Sequence, residues 1–437
     1  MAGNRNSLYE FLLLATVVIA LTLASVWVYP IWDDARVLSL ITRNGSQVIL
    51  FNFGWRILVA FFLTFLSEHQ LFQPVGIIFH FIGWLGMGLV TMRFWRLMFP
   101  EHARLALLPS LLSVAPILCK VQFVLVTVVF MDLIPSVLAF MAILMLLREY
   151  TSRRRWIINE VAALLLIVFS ILLSEYAVAA AGAGFVLAMA KALREKTQLR
   201  RERIIAALLV AVFSLGSYAV YSLMATPTAN PEFRARFALE MFPRKIPVIP
   251  FRLFSALWRG AIGGVLESLG SINVNTKIAL TSFVCGAIFS AVVTLVVYKN
   301  TDGAPALSRN WFTVLTLVVA TLVGLLPVFL MDRTLEAKWD SRFWLPVLPV
   351  LSSLTVFLLL KLVNKRVWLL VPIACGFLAG YWTTFEILNT YQHPEPVVEI
   401  KTVPVFALAD GNKTASVTMG GTAVVSADPR LLMRTEN

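Results

Sequence analysis

The chain has 437 residues, 59% of them hydrophobic and only 14% charged, with a mean hydropathy of +0.82. A soluble globular chain carries about a quarter charged residues, so this composition excludes one. The net charge of +13 acquires meaning only once it is placed on a topology.

Apolar windows of about twenty residues, each able to cross a ~30 Å hydrocarbon core, recur along the whole length. An all-α polytopic bundle follows, because a membrane barrel needs short alternating segments instead. Eleven spans are predicted, over 9–30, 73–93, 105–124, 128–147, 157–174, 176–193, 204–224, 278–298, 311–331, 343–361 and 367–388. The first carries no small-residue cleavage site before the acidic pair that follows it, so it is read as a retained anchor rather than a signal peptide. Short loops rich in cations fall on one side: Arg93, Arg96 and Arg104, then Arg148 and Arg153 to Arg155, then Arg194 to Arg203, and last Lys361, Lys365 and Arg366. The positive-inside rule makes that side, and the amino terminus, cytoplasmic.

After the first span comes WDDARVLSLITRNG (32–45), with Asp33 and Asp34 side by side and Arg36 following. The apolar stretch 48–69 carries Asn52 and Arg56 near its middle. Were it to span, every later loop would invert, so an interfacial or re-entrant helix on the outer side is expected. Asp132 lies within a turn of the outer end of its span, and Glu175 marks the outer turn between spans five and six.

The long segment from Pro227 to Lys277 carries Arg244, Arg252 and Arg259, with Phe251, Phe254, Leu257, Trp258 and Ile262 at helical spacing. That stripe predicts a helix lying on the outer leaflet, serving either as a lid or phosphate clamp or simply as an attraction for anionic headgroups. The last outer loop brings Arg333, Lys338 and Arg342, and Pro346 and Pro349 follow in the first turns of the next span. An arginine just before a helix start suits a phosphate or carboxylate; it also suits simple snorkelling to the interface. Tyr176, Trp258, Trp339 and Trp344 read as interfacial belt aromatics.

Residues 389–437 mix β-prone runs with glycine and alanine and hold no span, so a small extracytoplasmic tail is expected beyond a membrane domain over 1–388. Cys119, Cys285 and Cys375 all fall in apolar runs and the four histidines are scattered, which argues against a disulfide framework, a metal site or a haem.

Trp32-Asp33-Asp34-Ala35-Arg36, the 48–69 helix, Asp132, the 227–277 loop and the run from Arg342 to Pro349 follow one another in an order that resembles the GT-C superfamily of membrane glycosyltransferases. In size and in its short tail the chain is similar to bacterial glucosyltransferases that decorate O-antigen. It departs from relatives that carry a Lys-Glu pair after span five, having Ser174-Glu175 there. The resemblance implies a transferase of the bacterial inner membrane, with a polyprenyl-phosphate sugar as donor, an extracytoplasmic glycan or lipid-linked glycan as acceptor, and no cofactor. A carboxylate would serve as general base, either Asp33 or Asp34, with Asp132 as a second acidic site residue. Arg342, Arg333 and Lys338 would hold the donor phosphate. Arg36, Arg56, Glu175, Arg244, Arg252, Trp258 and Arg259 complete the candidate substrate-binding set. The implied partners are the lipid bilayer, the donor and the acceptor, without nucleic acid. An O-antigen polymerase or ligase, or a transporter or flippase, is the competing expectation. A transporter should show inverted repeats and paired broken helices near the midplane, and the sequence has neither.

Overall fold

The computed structural model describes residues 2–26, 45, 57–115, 128–148, 153–194, 199–224, 246–248, 250–251, 311–330 and 340–362. All belong to the first of two compact units, Met1–Asn389 and Thr390–Asn437. The predicted spans 278–298 and 367–388, the three cysteines, nearly all of the 227–277 segment and the tail lie outside the described residues.

Among the described residues every regular element is helical: α1 (Ala2–Val26), α2 (Ile57–Glu68), α3 (Phe72–Met98), α4 (Leu107–Val114), α5 (Ile134–Leu147), α6 (Arg153–Leu173), α7 (Ala177–Arg194), α8 (Leu199–Met224), α9 (Trp311–Leu330) and α10 (Leu348–Leu362). A π turn, Val129–Leu133, leads into α5, and a 3-10 run, Asp340–Val347, leads into α10. Among the described residues, six segments are long and apolar enough to cross a membrane: Pro74–Met98, Val129–Leu147, Arg154–Leu173, Ala177–Arg194, Arg200–Val220 and Arg342–Lys361. They coincide with six predicted spans. Shorter apolar stretches, Leu8–Ile19 and Trp311–Pro327, mark α1 and α9.

Two local features depart from a plain hairpin series. Helix α4 stops after eight residues, and Ala115 is extended at φ −72° and ψ 144°. Pro116 follows it, and a proline's ring disfavours helical geometry in the residue before it. Helix α4 therefore ends at Val114, inside the span predicted across 105–124. Helix α2 occupies the second half of the 48–69 stretch, and its twelve residues extend only ~18 Å. Its end folds into a tight corner, with Leu71 N–H donating to the Leu66 carbonyl and Gln70 N–H to that of Ser67. Gln70 takes φ 55°, the left-handed position that closes this type of helix end.

Lipid tails offer helices no hydrophobic reason to associate, so close packing has to do it. The largest buried cluster joins α1, α3, α4, α5, α7, α9 and α10 around Trp84, Trp95, Phe140 and Phe357. Small residues allow the tightest approaches. At Gly324 of α9 a Cβ would stand 3.1 Å from the Ala179 carbonyl oxygen and would run into Val347. Across α3 and α4, the Ser110 hydroxyl donates to the Gly88 carbonyl at 2.8 Å. Of the last described span, Arg342–Lys361, 78% is buried, against 28% of Arg154–Leu173. The first is central, and the second lies at the periphery of the described bundle.

Between α3 and α4, the 3-10 turn Pro100–Leu105 buries His102. The Trp95 indole N–H donates to the His102 carbonyl at 2.8 Å. Burial lowers the His102 imidazole below the usual histidine value, and neighbouring Glu101 partly opposes that.

Candidate functional site

One end of the bundle gathers the π turn before α5, the corner between α6 and α7, and the 3-10 run before α10. Each departs from a regular helix for a local reason.

Pro135 is the second residue of α5. It has no N–H to offer the Met131 carbonyl, and its ring crowds that carbonyl. The preceding turn widens instead, and Ile134 N–H bonds the Val129 carbonyl, five residues back. Asp132 sits on this widened turn with its side chain 2% exposed. The Ser136 hydroxyl donates to the Asp132 backbone carbonyl at 2.6 Å.

The corner Ser174-Glu175-Tyr176 is buried throughout. Ala177, Val178 and Ala179 N–H groups donate three residues back, to Ser174, Glu175 and Tyr176 carbonyls at 3.0, 3.2 and 3.0 Å. Those bonds turn the chain tightly between the end of α6 and the start of α7.

In the third segment Pro346 lies inside the 3-10 run. Tightly wound stretches of this length are uncommon and mark strain or a hinge. Arg342 stands near its start, with Nη1 4.0 Å from Asp132 Oδ2. At that separation the contact is coulombic rather than a hydrogen bond. The Arg342 guanidinium lies 5.2 Å from the centre of the Phe343 ring, and Tyr176 meets the other side of the neighbourhood, its ring 4.7 Å from Phe343. A connected row therefore runs from Asp132 through Arg342 and Phe343 to Tyr176, drawn from three elements distant in sequence.

Taking a carboxylate and a guanidinium out of water costs several kcal/mol per ion. Side-chain exposures of 2% and 14% put this pair in that regime, where the nearby opposite charge offsets part of that cost. Helix α2 covers the same end. Phe62 packs edge-on against Phe79 and Phe130 at 6.0 and 4.6 Å, and Val59, Leu63 and Leu66 bury Phe130 and Met131 beside Asp132.

Of the residues expected at the site, Asp132, Glu175 and Arg342 are described, and all three stand at this end. Asp33, Asp34, Arg36, Arg56, Arg244, Arg252, Trp258, Arg259, Arg333 and Lys338 lie outside the described residues. Two aromatic readings change. Tyr176 is 7% exposed and Trp344 1%, so neither is a belt residue at the lipid interface. Both are interior, and Tyr176 belongs to the site. Its signal in the sequence was its position directly after a buried carboxylate. Among the described residues no three His, Cys, Asp or Glu side chains gather as a metal site would require.

These helices and this buried pair define the class: an α-helical integral membrane protein. No protein-family model, curated protein or solved structure matches the chain.

Proposed function

We propose that the protein is an inverting glycosyltransferase of a bacterial inner membrane, moving a hexose from a polyprenyl-phosphate donor to an extracytoplasmic glycan or lipid-linked glycan. The Asp132 end of the bundle faces the extracytoplasmic side, in keeping with the cationic loops at the other end. The observation that carries the reading is the buried Asp132–Arg342 pair on two irregular helix turns. Ionisable groups are kept inside a membrane bundle at a cost, and function is the usual reason.

An acceptor hydroxyl attacks the anomeric carbon as the bond from that carbon to the phosphate oxygen breaks. The hydroxyl proton passes to an aspartate carboxylate, and polyprenyl phosphate leaves with the electron pair. In-line displacement inverts the configuration and requires base and phosphate to lie on opposite sides of the sugar. Arg342 serves the phosphate side. Asp132, 4.0 Å from Arg342, belongs to that same side, so its role is to position and partner the arginine. The base is then Asp33 or Asp34 of the first loop. Arg333 and Lys338 add charge for the phosphate. Arg36, Arg56, Glu175 and the Arg244, Arg252, Trp258 and Arg259 loop serve substrate binding.

The test is sugar transfer by purified protein in detergent, given a polyprenyl-phosphate hexose and a glycan acceptor. Removing the base is expected to cost about 10²- to 10⁴-fold, so one of Asp33→Asn and Asp34→Asn should be nearly inactive. Transfer that survives both substitutions together sinks the acidic-pair mechanism. Solute movement in proteoliposomes without any transfer replaces the enzyme by a transporter.

A further inference from the structure

The opposite end of the bundle carries a second feature, independent of the sugar-transfer reading. Helix α9 begins there with Trp311 and Phe312, which are 71% and 41% exposed. A cation from a different helix stands over each ring. The Arg194 guanidinium, at the end of α7, lies 4.3 Å from the Phe312 ring centre. Its Nη1 donates to the Thr313 hydroxyl at 3.4 Å. The Lys361 ammonium, near the end of α10, lies 5.9 Å from the Trp311 ring centre and 5.6 Å from that of Phe357.

Two cations thus bracket the first turn of a helix whose amino end is itself positive, and that turn contains no acidic residue. An anionic headgroup at this turn would meet both cations and the positive end of the helix. The surface leading away from them is apolar. Leu315 and Val319 continue the Trp311 face of α9 at successive turns, 60% and 37% exposed. A charged head above an apolar ribbon at a membrane boundary has the amphipathic shape of a phospholipid, and a free anion would have no use for the ribbon.

We propose that this end of the bundle binds an anionic phospholipid, its phosphate held between Arg194 and Lys361 and one acyl chain laid along Trp311, Leu315 and Val319. The aromatic rings fix the two cations in place, so the site differs from diffuse attraction of a basic surface to a charged leaflet. Phosphatidylglycerol, with one net negative charge, is a sufficient probe.

The experiment measures retention of fluorescent phosphatidylglycerol, against phosphatidylcholine, by the full-length protein in neutral detergent. Wild type is expected to prefer the anionic lipid by about thirtyfold, the contribution of two cations near an anionic headgroup. In the Arg194→Gln, Lys361→Gln double variant that preference should largely vanish. Arg154→Gln with Arg200→Gln, two exposed cations at the same end, should leave it in place. Equal loss from both double variants would mean diffuse surface charge and overturn the site. Displacement of the labelled lipid by millimolar inorganic phosphate would overturn the lipid assignment in favour of a free-anion site. Should the glutamine variant fail to fold, Arg194→Lys with Lys361→Arg keeps both charges and must keep the preference. Leu315→Ser is expected to weaken lipid retention severalfold without altering its salt dependence, and no change there removes the acyl track.

Discussion

The two ends of this bundle handle charge differently. At the Asp132 end, an acid and an arginine are buried together on a widened turn and an overwound one. At the other, Glu10 pairs with Arg96 between regular turns of α1 and α3, with side chains 12% and 34% exposed. Glu160 and Arg203 are buried there between α6 and α8, again on regular helices. Among the described residues, these two acid–base contacts sit on ordinary helix. The Asp132–Arg342 pair alone of the three sits on distorted backbone, and irregular turns often mark functional sites.

Breaking one partner of the Asp132–Arg342 pair should have the largest effect. Asp132→Asn or Arg342→Gln removes one side of this buried contact and should lower stability by about 3 kcal/mol, read as thermal unfolding in detergent. On the proposed sugar-transfer reading, Arg342→Gln should also cost about 10²-fold or more in transfer. A double variant closer to wild-type stability than either single one would sharpen the contrast by showing that the two charges answer to each other. Next in size, Gly324→Ala forces a methyl against the Ala179 carbonyl and Val347, a backbone and a 3-10 run that have little room to move. A loss of about 2 kcal/mol is expected, along with impaired transfer, because Val347 belongs to the run that carries Arg342.

Gln70→Gly relieves a left-handed residue at the helix end beneath the site, and should raise stability by about 1 kcal/mol. A fall instead would mean that the Gln70 side chain, not the backbone angle, holds that corner. At the far end, Glu10→Gln should cost under about 1 kcal/mol, as partly exposed pairs do. If it costs as much as Asp132→Asn, the distinction between the ends collapses. The smallest effect concerns His102. Its folded value lies below the ordinary 6.5, so the neutral ring belongs to the folded state. Its contribution is present above pH 6.5 and is lost as pH falls below that value toward the folded one. His102→Asn should flatten the slope of melting temperature against pH in that window.

The spans were legible because length and apolar composition alone decide what crosses a bilayer, and six of them reappear with ends shifted by only a few residues. The short helix over 57–68 was legible in outline because Arg56 and Asn52 made a full crossing costly. Asp132, Glu175 and Arg342 were legible as charges near one end of their spans, and the structure places all three at one end of the bundle. Their arrangement was not. The meeting of Asp132 with Arg342 depends on how far Pro135 widens one turn and how tightly the Asp340–Val347 run winds, and apolar periodicity carries no information about either. Pro116 likewise ends α4 inside what composition reads as one continuous apolar run. Tyr176 and Trp344 were misplaced for a related reason. Aromatics near a span end are read as interfacial by default, and only the packing of three elements reveals that these two are interior.

The π turn at Val129–Leu133 has an evolutionary corollary. A turn closed over five residues is an ordinary helix with one residue inserted, and each residue of a helix advances the facing by ~100°. The direction in which Asp132 points is thus recorded in chain length as much as in residue identity. A single-codon deletion between 129 and 133 would remove the extra residue of this turn and swing the acid away from Arg342 while leaving the carboxylate and its hydropathy almost unaltered. Relatives that differ by one residue in this stretch are where a loss or redirection of activity should be sought first, even where every charged side chain is present.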